Sequence, residues 1–156
     1  MDHIVRDTTT ADLMWLAAFM REEDKQEVAA ASGLTTAQTM LHGKANSPFL
    51  KTVLVDDTPM LVFGVASHPS DKLVGTVWML ATDFLMAPQC RRVLKYHSRP
   101  WINKLQDDFP ILTNIADRRN KAHHRWLKWC GFTFINEIYL GPSRAPFLEF
   151  VRIKDV

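Results

Sequence analysis

A strand, a long helix and a second strand follow one another in the middle of this chain, and that order restricts its fold most. Apolar, strand-like runs cover residues 76–82 and Ile111–Asp117, and the segment between them is helical over residues 88–109. Neighbouring parallel strands need a crossover of this length, and such crossovers are almost always right-handed. The sequence therefore predicts that these two strands are parallel neighbours in one sheet.

Hairpins flank this unit on both sides. Residues 49–56 and 60–67 are apolar runs joined by a short turn, and residues 132–140 and 147–153 flank a turn rich in glycine and proline. Residues 68–75 are expected to form a loop. Such hairpins predict antiparallel pairing outside the central crossover.

The N-terminal third is predicted to hold a short strand and two helices. The first helix begins at a Thr9 or Thr10 cap, can run on through the acidic residues 21–27, and ends at Gly33. The second helix begins at a threonine cap and ends at Gly43.

The predicted order is strand, two helices, three strands, helix, strand, helix and two strands. A parallel crossover between antiparallel hairpins gives one mixed sheet with helices on both faces. We therefore predict a mixed α+β fold with a single domain over residues 1–156.

Two helices of the second half carry specific expectations. Pro100 is predicted to bend or interrupt the long helix, with Trp101, Ile102 and Leu105 packed against the sheet. The helix after Asn120 ends at a glycine that suits a left-handed stop. Its apolar face is predicted to comprise Ala122, Trp126, Trp129 and Cys130.

Composition excludes several classes of protein. The chain is 47% hydrophobic and 23% charged, which is typical of a globular domain. A net charge of +2 is too small to support nucleic-acid binding by overall charge. No apolar run is long enough to span a membrane, and the N-terminus lacks the apolar segment of a signal peptide. Cys90 and Cys130 match neither a disulfide framework nor a metal site, so we expect a soluble, intracellular protein without a metal.

The order of elements resembles the GNAT (Gcn5-related N-acetyltransferase) fold over essentially the whole chain. In that family the strand after the central helix is followed by an asparagine, a helix and a Gly-Phe pair, and Asn120 and Gly131-Phe132 stand at these positions. The resemblance implies acetyl-coenzyme A as cofactor and an amine of a small molecule or peptide as acyl acceptor. It places the coenzyme between the strands at residues 76–82 and Ile111–Asp117.

A narrower resemblance is to the GNAT-like internal virion proteins of short-tailed bacteriophages. Residues 112–132, the basic helix before them and the Trp-rich strand carry it. It implies a phage or prophage origin, virion proteins as partners, and a location in the cytoplasm of a host cell or in the virion.

Two features depart from the GNAT pattern. GNAT enzymes bind the coenzyme pyrophosphate on a glycine-containing loop whose backbone N–H groups contact the phosphates, but residues 76–130 contain no glycine and Pro88 removes one donor. Many GNAT enzymes also place a tyrosine seven residues after the asparagine, where it protonates the departing thiolate, and here that residue is Leu127. Both departures predict weak or absent coenzyme binding and weak or absent acyl transfer.

Some residues remain candidates for coenzyme contacts. Those predicted to bind the coenzyme are Leu80, Ala81, Thr82, Arg91, Arg92 and Asn120. The two arginines lie in the first turns of the central helix, where guanidinium groups can replace missing backbone donors. For each arginine taken alone, a solvated charge on a helix surface is the simpler explanation. Candidates for the 3′-phosphate and adenine region are Arg118, Arg119, Lys121 and Arg125.

No catalytic residue is assigned from the sequence. Proton-transfer candidates by residue type are Tyr96, His97, His123 and His124. We expect the two adjacent histidines, which point about 100° apart on a helix, to lie at the surface. Cys130 is expected to pack in the core. Asn114 needs hydrogen-bond partners, and it can either bridge the two central strands or orient a ligand.

Three hypotheses of function follow. The first is a divergent GNAT-like N-acyltransferase with a degenerate acetyl-coenzyme A site. The second is a phage internal virion or assembly protein that keeps the fold without the chemistry. The third is a nucleic-acid-associated protein, and the small net charge counts against it.

Overall fold

The chain forms one seven-stranded mixed sheet in a computed structural model that describes residues 2–155. The strands are β1 His3–Asp7, β2 Phe49–Val55, β3 Thr58–His68, β4 Asp71–Ala81, β5 Ile111–Asp117, β6 Thr133–Leu140 and β7 Ala145–Ile153. The helices are α1 Thr10–Phe19, α2 Glu22–Ser32, α3 Thr36–Asn46, α4 Pro88–Asp108 and α5 Lys121–Trp129. A short 3₁₀ turn, Asp83–Met86, precedes α4. The strand order in the sheet is β1-β2-β3-β4-β5-β7-β6.

The central crossover confirms the prediction from the sequence. Strands β4 and β5 are parallel neighbours, and every other neighbouring pair in the sheet is antiparallel. The β4–β5 pairing runs only from Val74↔Ile111 to Thr76↔Thr113. Because both strands continue beyond that point, a gap opens between their C-terminal halves.

The first helix does not run through the acidic segment, so three helices rather than two precede the hairpin. It begins at the predicted Thr9 cap and ends before Met20, which pairs with Thr82 at the end of β4. The backbone N–H of Arg21 then donates to the carbonyl of Ala81 at 2.9 Å. These hydrogen bonds to β4 replace helical ones, which separates α1 from α2.

Two local predictions around β4 are wrong. Residues 71–75 are the first part of β4 rather than a loop, because they extend the antiparallel ladder with β3. Helix α3 continues through Gly43 to Asn46. A Cβ at Gly43 would lie 3.1 Å from the Trp78 ring, so this glycine permits close packing instead of ending the helix.

Pro100 does not interrupt α4, which runs unbroken over 21 residues. Both Pro100 and Tyr96, whose carbonyl loses its helical partner, are exposed, so water can satisfy that carbonyl. The contacts after the proline are as predicted, since Ile102 and Leu105 are buried in the core and Trp101 packs on Phe63 with centroids 5.5 Å apart.

The two faces of the sheet carry different helices. Helices α1, α2 and α3 cover one face around a core that includes Leu16, Met40 and Leu80. Helices α4 and α5 cover the other face, where Arg99 links them by donating to the carbonyl of Trp129. Among the described residues, no helix has the length and apolar character to cross a membrane.

Candidate active site

A cavity of about 390 Å³ follows the gap between β4 and β5. Side chains of α2 and α3 line it on one face of the sheet, and side chains of α4 and α5 line it on the other. The cavity therefore passes through the sheet where the two strands separate. Its volume lies within the usual range for small-ligand sites.

The register of β3 and β4 shows which backbone groups of β4 face this gap. In an antiparallel pair, successive residues alternate between bonding to the partner and pointing away from it. Thr82 bonds to Met60 in β3, so Leu80 also points towards β3, while Val77, Met79 and Ala81 point towards the gap.

The gap-facing backbone groups of Val77 and Ala81, at the two ends of this stretch of β4, already have hydrogen-bond partners. Asn114 donates from Nδ2 to the carbonyl of Val77 at 2.6 Å and accepts at Oδ1 from the N–H of Ile115. At the other end, Ala81 donates its N–H to the Asp24 carboxylate at 2.8 Å and accepts from the Arg21 N–H. Asn114 thus bridges the separating strands, which is one of the two roles that the sequence predicted for it. Between these two positions, Met79 is the residue of β4 whose backbone faces the gap.

Two carboxyl groups of α2 reach the gap. Asp24 contacts β4 as described, and Glu27 accepts at Oε1 from the N–H of Asp117 at the end of β5, at 2.9 Å. Burial raises the pKa of Glu27 to about 7, with nearby Asp24 and Asp117 adding to the shift. Burial likewise raises the pKa of Asp24 to about 6 against the lowering effect of its bond to Ala81. A carboxyl group with this pKa can take up or release a proton near neutral pH.

Helix α5 adds His123 to the wall of the same cavity. Burial is the main cause that lowers the pKa of His123 to about 4, and nearby His124 and Arg21 add to it, so the ring is neutral at pH 7. The expectation that both histidines lie at the surface is wrong. His123 is half-buried, and His124 is buried with Nε2 2.8 Å from the carbonyl of Asp117.

Comparisons with known proteins address the fold. An acetyltransferase of the GNAT family from Streptococcus pneumoniae superposes with a TM-score of 0.67 at 9% identity, covering 99% of this chain and 100% of its own. A ribosomal-protein-alanine N-acetyltransferase from Brucella melitensis gives 0.73 at 12% identity, covering 97% and 99%. Ard1 from Thermoplasma volcanium gives 0.72 at 12% identity, covering 100% of both chains.

The fold is that of the GNAT acetyltransferases. Neither a protein-family model nor a curated protein matches the sequence. At these identities the similarity establishes the fold alone. The resemblance to phage internal virion proteins stays a prediction.

The residues predicted to bind a coenzyme lie in three places. Leu80 lines the cavity, whereas the backbone N–H groups of Ala81 and Thr82 already have partners within the chain. Arg91 and Arg92 are exposed in the first turn of α4, beyond the 3₁₀ turn. Binding by these residues remains a prediction.

Asn120 occupies the N-cap of α5, where its side chain accepts from the N–H of His123 at 3.3 Å. The nearby Asn120 side chain also slightly lowers the pKa of Glu27 against the larger effect of burial. Asn120 thus starts the helix beside the carboxyl group.

Other candidate residues have structural partners. Arg118 pairs with Glu137 at 2.6 Å, and Arg119 pairs with Asp117 at 2.7 Å. Leu127 and Cys130 are buried, and burial raises the pKa of the Cys130 thiol to about 12, which confirms its packing role.

The buried side of α5 includes most of the predicted apolar face, since Cys130 is in the core and Trp126 and Trp129 pack against it. Ala122 is exposed, Trp126 and Trp129 are half-buried, and His124 and Leu127 are the residues that the helix buries besides its C-cap. The hydrogen bond from His124 to the Asp117 carbonyl allows a polar ring to occupy the core-facing side.

Proposed function

We propose that this chain is an N-acyltransferase that takes the acyl group from acetyl-coenzyme A and binds the coenzyme weakly. The observation that carries the proposal is Glu27, a carboxyl group that titrates near neutral pH on the wall of a cavity between β4 and β5. Two structures with this fold are named as ribosomal-protein-alanine N-acetyltransferases. A base with a pKa near the working pH suits the deprotonation of an ammonium group.

The residues of the gap fit the thioester arm of the coenzyme better than its phosphates. The backbone of Met79 faces the gap between two occupied positions, so an extended amide chain can pair with it as a strand would. The segment before α4 offers no glycine, and Pro88 at its first turn has no N–H. Arg91 and Arg92 would supply the charge for the phosphates through exposed side chains, which explains why binding is weak.

The acceptor nitrogen loses two protons as the ammonium group becomes an amide, and Glu27 is the group of the chain that would accept the first. The coenzyme supplies an activated acyl carbon, whose bond to sulfur is replaced by a bond to the acceptor nitrogen. Glu27, as carboxylate, takes a proton from the ammonium group and leaves a neutral amine to attack. Neutral His123 and Met79 also line the cavity. Leu127 provides no acid. Protonated Glu27 would return the first proton to the departing sulfur, and the second proton, which the nitrogen loses as the amide forms, would pass to the freed carboxylate or to water.

An acyl-transfer assay with Glu27→Gln tests this proposal. Glutamine keeps the acceptor for the Asp117 N–H but cannot take the proton, so we expect turnover to fall by about 10²–10⁴-fold. The matched control is Glu22→Gln, since Glu22 is exposed on the same helix and does not line the cavity. Equal loss in both variants, or full activity of Glu27→Gln, would overturn the assignment of the base.

As a second candidate we propose a virion or assembly protein of a phage. The supporting observation is an exposed apolar surface on α1 and the 3₁₀ turn, which comprises Met14, Phe19, Phe84 and Met86. Mass spectrometry of purified particles from an induced prophage that carries the gene tests this role. Absence of the chain from the particles would overturn it. The structure adds no support for a nucleic-acid partner.

A further inference from the structure

One part of the cavity lies on the side of the sheet that carries α2 and α3. We call it the tryptophan arm, and its lining residues are Val28, Ala31, Thr39, His42, Gly43 and Trp78. It belongs to the same cavity as Asp24 and Glu27. A molecule in this arm therefore lies in the same cavity as the proposed base.

The indole of Trp78 is held in one position. Its Nε1 donates to the hydroxyl of Ser47 at 2.8 Å. Glycines lie against the ring, since a Cβ at Gly43 would be 3.1 Å from Cζ2 and one at Gly64 would be 3.2 Å from Cε2. A fixed aromatic surface loses little entropy when a flat ligand packs on it.

The charges on the cavity wall favour one sign of ligand. Its titratable side chains are Asp24, Glu27, His42, His97 and His123, and among the described lining residues there is no lysine and no arginine. An anion would lose its hydration without gaining a cationic partner. A protonated amine gains carboxylates and the face of an indole.

We propose that the acyl acceptor is a primary amine carried on a flat, apolar group, with the ring on Trp78 and the amino group directed towards Glu27. This inference rests on the proposed N-acyltransferase function and names its acceptor class. Peptide N-termini and polyamines fit less well, because they would bury additional polar or charged groups against an apolar wall. Trp78 is then the residue that determines specificity.

Calorimetric titration without coenzyme tests the acceptor class directly. The probes are 2-phenylethylamine, phenylacetate, which has a similar body with the opposite charge, and spermidine. We expect saturable binding of 2-phenylethylamine and at least tenfold weaker binding of the other two, since one charge contact of about 1.4 kcal/mol corresponds to tenfold. Phenylacetate or spermidine binding as tightly as 2-phenylethylamine would overturn the inference.

Variants of Trp78 test the ring contact. Trp78→Phe should weaken 2-phenylethylamine binding several-fold, because the smaller ring offers less surface and loses the bond to Ser47. The control is Trp129→Phe, whose ring packs with Arg99 outside the cavity wall. Circular dichroism checks that each variant is folded, and a thermal shift with 2-phenylethylamine provides a second readout. Unchanged affinity in a folded Trp78→Phe contradicts the inference.

The assay separates this inference from the proposed function. Acetylation of spermidine or a peptide, with no binding of 2-phenylethylamine, overturns the acceptor class and leaves the transferase function standing. Binding of 2-phenylethylamine without any acyl transfer overturns the function and leaves an amine site. Absence of both binding and transfer overturns both.

Discussion

Asp24 and Glu27 lie one turn apart on α2, yet their carboxylates contact opposite sides of the gap. Asp24 accepts from Ala81 of β4, and Glu27 accepts from Asp117 of β5. Helix α2 therefore joins two strands that no longer pair with each other. The same burial that makes Glu27 a base near neutral pH makes its ionisation unfavourable for folding.

Replacing Glu27 with glutamine should change how stability depends on pH. The folded pKa of about 7 lies above the ordinary value of 4.5, so between these values the folded state binds more protons and the unfolding free energy falls as pH rises. The groups that face this carboxyl are Asp24, Asp117 and Asn120. The variant lacks the ionisation and should gain up to roughly 3 kcal/mol over wild type from pH 4.5 to pH 8.

Urea denaturation at a series of pH values measures this difference. Asp24 titrates in both proteins, so its contribution to the unfolding free energy largely cancels in the difference between them. Glu22→Gln, on the exposed side of α2, is the control and should follow the wild-type curve. Parallel curves for Glu27→Gln and wild type contradict the raised pKa.

Asn114 joins β4 to β5 at the start of the gap. Asn114→Ala removes the donor to Val77 and leaves a carbonyl without its partner, which should lower the unfolding free energy by about 1–3 kcal/mol. Chemical denaturation measures the loss. The control, Asn136→Ala, removes an exposed asparagine of β6 and should lower the unfolding free energy less. Equal losses in the two variants would contradict a stabilising role for the bridge from Asn114.

At the scale of elements, the start of α4 determines how phosphates can be held. The 3₁₀ turn and Pro88 leave few free N–H groups there, while Arg91 and Arg92 extend into solvent. Exposed side chains provide charge without the fixed geometry of a glycine loop, so salt screens them readily.

The double variant Arg91→Ala, Arg92→Ala should abolish detectable acetyl-coenzyme A binding, and added salt should weaken binding to the wild-type protein. The matched control removes the same charge at the other end of the sheet, with Lys72→Ala and Lys154→Ala. Calorimetry at two salt concentrations measures both effects. Tight binding that survives both changes means that other groups build the phosphate site.

Most of the element order was predictable from hydrophobic patterns and turn residues, because the crossover and hairpins depend on local signals. The break between α1 and α2 was not, since it depends on hydrogen bonds from Met20 and Arg21 to the distant end of β4. Gly43 looked like a helix stop because nothing local reveals that Trp78 packs against it.

The site was harder to predict than the fold. Asp24 and Glu27 stand in a run of charged residues at 21–27 that resembles a solvated helix surface. Only the position of α2 over the gap distinguishes these two carboxyls from their exposed neighbours. Their spacing of three residues is consistent with one helix face but does not reveal what that face covers.

At the scale of the whole molecule, the sheet is opened at its centre and held by side chains around the opening. Asn114 holds the near end, α2 holds the far end through Asp24 and Glu27, and Met79 faces the space between. The arrangement gives a cavity through the sheet with the Glu27 carboxyl, whose pKa is raised to about 7 by burial, on its wall. We propose that this opening binds the thioester arm of a coenzyme.

Calorimetric titration of the full chain with acetyl-coenzyme A tests that claim most directly. We predict weak but saturable binding at one site, for which coenzyme A competes and which added salt weakens. No saturable binding at millimolar coenzyme, with a folded protein shown by circular dichroism, would contradict the account.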